Sequence, residues 1–360
     1  MASYKSIRKK YVQAKKKKIA TFARRNTTNK RNNFIDTMAS NLRQTSGSIF
    51  SGNPITVSCR AMNISEEVSF HRVMFIVTVA GSSFNFPAQV QEEGGEVEMD
   101  ISSALRAIFD NYQWSAETLV SPSATWKVTA HDEYFLDGEL KATDKVSLSG
   151  TECYPGAFSD YERIMNNVAI PMRFSRKPKN APEVVEVGDS VCVPATGNRP
   201  KSDIYTLSEE GLYSDINVYA KKIEKNERRM SIRFINKYGC LESISIPSAG
   251  KKKAKYNVTE FVVALRERFD KPSHKYVRKE EDPEIWEFSS GPLTYEWQQW
   301  FLHEFLTTEH AWANINGKWI RINVFPEEEI EYFNKTKRDM YEVQFSIQFD
   351  INGHIGTLNN

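Results

Sequence analysis

Short apolar runs and two-residue alternation, not a 3.6-residue period, dominate residues 55–150 of the chain. Residues 55–60 and 68–80 read as strands, the second long and β-branched enough to be buried. Gly81-Ser82-Ser83 interrupts that run and Phe84-Asn85-Phe86 resumes it, which predicts a hairpin. Glu96-Val97-Glu98-Met99 alternates. Asp100 then stands as a candidate N-cap of a short helix to Phe109, with Leu105, Ile108 and Phe109 on its apolar face. Residues 126–130, 134–136 and 145–148 predict further strands, the last two flanking Asp137-Gly138.

The second half begins differently. Pro155, Pro171, Pro178, Pro182, Pro194 and Pro200 exclude long helices from residues 151–203 and leave one strand-like piece, 184–193. Residues 218–223, 230–236 and 241–246 regain β character, and 258–269 read as a helix. Trp297, Phe301 and Phe305 recur every four residues within 294–306, which predicts an amphipathic helix. Asn316-Gly317 between apolar-polar segments predicts a hairpin, and residues 341–350 alternate throughout.

These patterns predict a mainly β (α+β) chain with two β-sandwich-like antiparallel domains, each carrying a short helix, behind a basic N-terminal arm. The expected organisation is an arm over 1–45, a β-rich domain over 46–150, a Pro-rich crossing over 151–203 and a second β-rich domain over 204–360. ALRxxFD occurs at 104–110 and again at 264–270, which fits two related domains and fits coincidence equally.

Charge changes this picture. The whole chain holds 48 basic and 46 acidic residues, a formal +2. Residues 1–43, however, hold thirteen basic residues against the single Asp36, a charge of +12, so the remaining 35 basic and 45 acidic residues carry −10. Lys9, Lys10, Lys15, Lys16, Lys17, Lys18, Arg24, Arg25, Lys30 and Arg31 are the residues by which this arm would meet an acidic surface or a phosphate backbone. The arm reads as partly helical or disordered until assembled, since its consecutive lysines repel one another. No apolar stretch approaches the roughly 20 residues of a membrane span, and the basic start lacks the apolar core of a secretory signal. The expectation is a body that folds in a cytoplasm without membrane insertion.

Candidate chemistry is sparse. Cys59, Cys153, Cys192 and Cys240 are too widely spaced for a zinc knuckle or redox pair and read as reduced, structural thiols. His303 and His310, near Glu304 and Glu309, do not have HExxH spacing, so neither a metal nor any other cofactor is expected. Phosphate-cradling glycine loops and the GxSxG nucleophile motif are missing from the sequence, and its carboxylates lie in turn-like runs, so nothing positive supports an enzyme. Trp286, Trp297, Trp300, Trp312 and Trp319 crowd into 34 residues, as core aromatics, an interface or a sugar-stacking surface.

SGNPI at 51–55, DIS at 100–102 opening a helix, RFINKYGCLES at 233–243, WQQWFLHEFL at 297–306 and the Asn-Gly hairpin occur in an order that resembles virion proteins of tailed phages. The resemblance is specifically to tail, connector or baseplate proteins of phages infecting Bacteroides-type gut bacteria. It implies a non-enzymatic subunit, made in the host cytoplasm and resident in the virion, that forms a multi-copy ring with other copies and other virion proteins. Its arm would dock on neighbouring subunits or on packaged DNA. Two alternatives remain at this stage: a receptor- or glycan-binding tail protein using the Trp-rich region, and a nucleic-acid-binding protein acting through the arm.

Overall fold

The structure is a computed structural model and describes residues 41–45, 49–62, 70–92, 94–158, 173–179, 181–225, 228–253, 256–263, 274–281, 285–327 and 340–350. The basic arm up to residue 40 lies outside the described residues. The fold is mainly β, with two short helical segments among the described residues. It divides into two compact units: Met1–Asn111 with Ser123–Tyr154, and Tyr112–Pro122 with Pro155–Asn360.

In the first unit, β1 (Arg43–Gln44), β2 (Thr56–Arg60) and β5 (Glu96–Asp100) form a three-stranded antiparallel sheet. A five-stranded sheet runs β4 (Ser82–Gln89), β3 (His71–Val79), β6 (Ala124–Leu136) and β7 (Glu139–Ala142), with β8 (Val146–Cys153) also pairing β6. Val57, Cys59 and Val97 of the small sheet share one core with Val73, Phe75, Val77 and Val128 of the large one. Strand β3 buries only alternate residues: His71, Val73, Phe75, Val77 and Val79 point inward, whereas Met74, Ile76 and Thr78 are half-buried. The pleat therefore gives a run predicted to be wholly buried two unequal faces. Its hairpin turns one residue earlier than predicted, at Ala80-Gly81, with φ of 48° and 83°. Asp137-Gly138 and Asn316-Gly317 repeat that pair of positive φ values, which matches the right-handed twist of the flanking strands.

Helix α1 (Ser102–Phe109) starts one residue later than predicted. Asp100 ends β5, and its Oδ1 accepts the N–H groups of Ser102 (2.9 Å) and Ile55 (3.2 Å), tying the helix entry to β2. Leu105 and Phe109 are buried in the common core as the apolar stripe requires.

The second unit is built on one seven-stranded antiparallel sheet. In chain order its strands are β14 (Arg229–Ile235), β15 (Leu241–Pro247), β16 (Lys251–Lys253), β19 (Ile285–Ser289), β20 (Ala311–Ile315), β21 (Lys318–Pro326) and β22 (Gln344–Phe349), arranged β15-β14-β20-β21-β22-β19-β16. Helix α2 (Tyr295–Trp300) continues into a wider turn, Phe301–Phe305, closed by Leu306 N–H donating to the Phe301 carbonyl at 3.0 Å. Phe301 and Phe305 pack edge-on against Phe345, and Phe305 also against Phe234.

The helix predicted over 258–269 is contradicted. Tyr256–Val263 is a strand (β17) paired antiparallel with β18 (His274–Glu281), and residues 264–273 lie outside the described residues. Val258, Thr259, Phe261, Val262 and Val263 are branched or aromatic and favour the pleat over the helix. The second ALRxxFD copy cannot be compared with α1 for that reason. The second unit takes its helix from Tyr295–Trp300 instead.

Residues 184–193 form two strands, β9 (Glu183–Glu186) and β10 (Ser190–Pro194), because the chain turns at Gly188 with φ 96°. Strand β10 pairs β11 (Ser202–Thr206), while β9 runs parallel to β13 (Val218–Lys221), which pairs β12 (Gly211–Tyr213). Val185, Val191, Leu207, Val218 and Ala220 give this group a small core of its own.

Candidate functional site

Four of the five clustered tryptophans, Trp286, Trp297, Trp300 and Trp312, are buried. Trp286, Trp297 and Trp300 belong to the main core of the second unit. Trp312 belongs to a second cluster with Cys192, Ile235 and Leu241, against which Trp114 and Trp319 pack. Their proximity in sequence therefore separates into two packing sites rather than one stacking surface. The Arg233 guanidinium lies 4.2 Å from the Trp319 ring centroid, and its Nη1 donates to the Ala116 carbonyl at 2.8 Å.

Strands β14 and β15 are covered on both faces. Ile232, Phe234, Ile244 and Ile246 enter the main core on the helix side. The opposite face is polar and almost wholly buried: Ser231 Oγ donates to Asp189 (2.6 Å), Arg233 Nη2 to Ser190 Oγ (2.8 Å), and Cys192 N–H to Ser243 Oγ (2.8 Å). These hydrogen bonds offset much of the cost of withdrawing the face from water, although the buried Arg233 Nε has no hydrogen-bond partner.

Ser175, Arg176 and Lys177, from the Pro-rich stretch, engage three buried glutamates in succession. Ser175 Oγ donates to Glu242 Oε1 at 2.5 Å, and Asn236 Nδ2 to the other carboxylate oxygen at 3.1 Å. Arg176 Nη1 lies 3.0 Å from Glu304 Oε1, while Lys237 N–H donates to Glu304 Oε2 at 2.9 Å. Lys177 Nζ pairs with Glu183, donates to the Ser243 carbonyl at 2.7 Å and lies 5.4 and 5.1 Å from the Trp297 and Trp300 ring centroids. Burial pushes the Glu242 carboxyl up and raises Glu304 to about 7, outweighing Lys177 at the first and Arg176 at the second. This arrangement fastens residues 173–179 to the sheet and helix. Arg176 and Lys177 face Glu304 and Glu183, and neutral Ser175 and Asn236 hold Glu242, so the arrangement reads as structural.

In the first unit His71 Nε2 and Met62 N–H both meet Asp132 Oδ1 at 3.0 Å. Both side chains of this pair are buried, His71 at 6% and Asp132 at 0% exposure. Burial, followed by the Asp132 charge, pushes the nearby Cys59 thiol up to about 12, far from a thiolate. Cys153 and Cys192 are also raised to about 12 by burial, and Cys240 well above its ordinary value. Burial lowers both His303 and His310, and among the described residues no three His, Cys, Asp or Glu side chains converge as a metal site. No helix of the described residues is long and apolar enough to cross a membrane.

What remains open is a surface. On the sheet β12-β13-β9, Leu212 pairs directly with Tyr219, which is in register with Val184 on β9. Leu212 is 59% and Tyr219 37% exposed, and Val184 is half-buried, while Val218, Ala220 and Val185 of the other face are buried. Glu209, Glu210 and Asp215 are exposed around β12. The Tyr213 hydroxyl closes the preceding turn by donating to the Glu209 carbonyl (2.9 Å) and accepting from its N–H (3.0 Å). Among the described residues β12 pairs only β13, so its outer edge is open. Strand β11 exposes Ile204 and Tyr205 and pairs only β10, apart from the Val120–Lys201 bridge beside its start. Sequence reasoning missed this surface because Leu212 and Tyr219 lie in short, polar-flanked segments, and only the cross-strand register makes them neighbours.

No protein-family model matches the chain, and no curated protein matches it at a significant level.

Proposed function

We propose that the chain is a non-enzymatic structural subunit of a tailed-phage virion, in the tail, connector or baseplate. It assembles into a multi-copy ring through its β units, with the basic arm adding electrostatic attachment. The observation that carries the assembly reading is the exposed Leu212–Tyr219 row beside the open edge of β12. Solvent-exposed apolar rows and open strand edges are templates for association, and the protein has both in one place. The phage assignment rests on the ordered motifs from SGNPI at 51–55 to the Asn316-Gly317 hairpin. Burial of Trp286, Trp297, Trp300 and Trp312 favours assembly over a sugar-binding role for them, since stacking on a sugar needs an exposed ring face.

Electron microscopy and light scattering of the purified full-length chain test this reading. A closed ring or discrete multimer is the expected result. A chain that stays monomeric across micromolar concentrations and joins no virion assembly contradicts it.

A further inference from the structure

We infer that the occupant of the Leu212–Tyr219 surface is the basic N-terminal arm of a second copy of this chain, an inference that rests on the assembly reading above. Three observations converge on that occupant. Residues 202–220 contain Asp203, Glu209, Glu210 and Asp215 and no Lys or Arg, between Lys201 and Lys221. Glu209, Glu210 and Asp215 are exposed, and no ion pair to any of them is formed among the described residues. Without Arg43, which lies in β1, the arm carries +11 over residues 1–40 and is the most concentrated positive segment of a chain whose remainder is −9.

The apolar chemistry matches as well. Tyr11, Val12, Ile19 and Phe22 punctuate the arm on either side of Lys15–Lys18, so a segment of about twelve residues offers apolar and cationic groups together. The surface offers the complement, with Leu212, Tyr219 and Val184 across three adjacent strands and carboxylates beside them. A purely cationic partner would satisfy the acids and leave the apolar row wet; a purely apolar one would desolvate the acids without pairing them. The open edge of β12 adds backbone donors and acceptors that an extended segment can use. Nucleic acid does not fit here, because the carboxylates repel phosphate.

Complementation between two full-length variants tests the inference. One carries Glu209→Lys, Glu210→Lys and Asp215→Lys; the other carries Lys15→Gln, Lys16→Gln, Lys17→Gln, Lys18→Gln, Arg24→Gln and Arg25→Gln. Unchanged circular-dichroism melting curves establish that both are folded. Each variant alone is expected to self-associate at least tenfold more weakly than the wild type in sedimentation velocity. Mixing them restores association, since one supplies an intact arm and the other an intact surface, and raising the salt from about 50 to 300 mM weakens it again. Wild-type association by either variant alone overturns the inference while leaving the assembly reading in place. Failure of the mixture to recover also overturns it, because the arm then acts on its own chain or elsewhere. A wild-type chain that never associates overturns the assembly reading itself.

Discussion

Arg176 Nη1 lies 3.0 Å from Glu304 Oε1, and that carboxylate, on the widened last turn of the Tyr295–Phe305 helical segment, is 1% exposed. The pair joins a Pro-rich strap to the helix, and burial rather than the arginine decides where Glu304 titrates.

A pH signature follows. Because the folded-state pKa of Glu304 is raised from 4.5 to about 7, the native state holds a proton that the unfolded chain releases. Its contribution to stability is therefore fully present below about pH 4.5 and is lost as pH rises through 7, on the order of 3 kcal/mol across the window. His303 and His310, both lowered, contribute in the opposite direction. The comparison with Glu304→Gln isolates the carboxyl: urea unfolding at pH 5, 6, 7 and 8 is expected to give a variant whose stability gains on the wild type as pH rises. A constant difference across that range contradicts the assignment.

Lys177 supplies a second test. Removing its ammonium by Lys177→Met leaves Glu183 buried without its cation and is expected to cost roughly 3–5 kcal/mol. Adding Glu183→Gln to Lys177→Met is expected to recover part of that loss, read as a positive coupling in a double-mutant cycle by urea denaturation. Additive losses would show that the pair does not act as a unit.

Gly150 probes the first unit. A Cβ placed there would lie 1.8 Å from the Trp126 ring, at the register shift between β6 and β8. Gly150→Ala is therefore expected to displace a core tryptophan and cost about 1–3 kcal/mol, lowering the thermal midpoint. An unchanged melting curve would mean that Trp126 does not cover this glycine.

The thiols give a prediction that needs no substitution. All four cysteines are buried with raised pKa values, so native protein at pH 8 is expected to react negligibly with a thiol reagent within minutes. The same protein in denaturant is expected to titrate four thiols. Rapid native modification would place at least one of them at an accessible, activated position.

Much of the β framework was legible wherever one residue type answers one geometric need. Asp137-Gly138 and Asn316-Gly317 supply paired positive φ values, and Trp297, Phe301 and Phe305 recur at helical spacing in a segment that is helical. The rest depends on tertiary partners that no local signal announces. Ser243 and Ser245 alternate with Ile244 and Ile246 as if facing water, yet their face is buried and its hydroxyls are used as hydrogen-bond partners. Residues 112–122 carry no strong periodicity and belong to the second unit, where Trp114, Ala116 and Leu119 pack with Trp312. The Ser175-Arg176-Lys177 strap reads as a polar loop until Glu242, Glu304 and Glu183 are brought to it from distant strands and helix.

The exposed row on β12 and β13 is proposed as an assembly contact. Light scattering of the full-length 41.4 kDa chain beside a Leu212→Glu, Tyr219→Ser variant tests it most directly. A multimer is expected for the wild type and a mass near that of one chain for the variant, with unchanged melting curves. A monomeric wild type, or a folded variant that assembles as the wild type does, would contradict it.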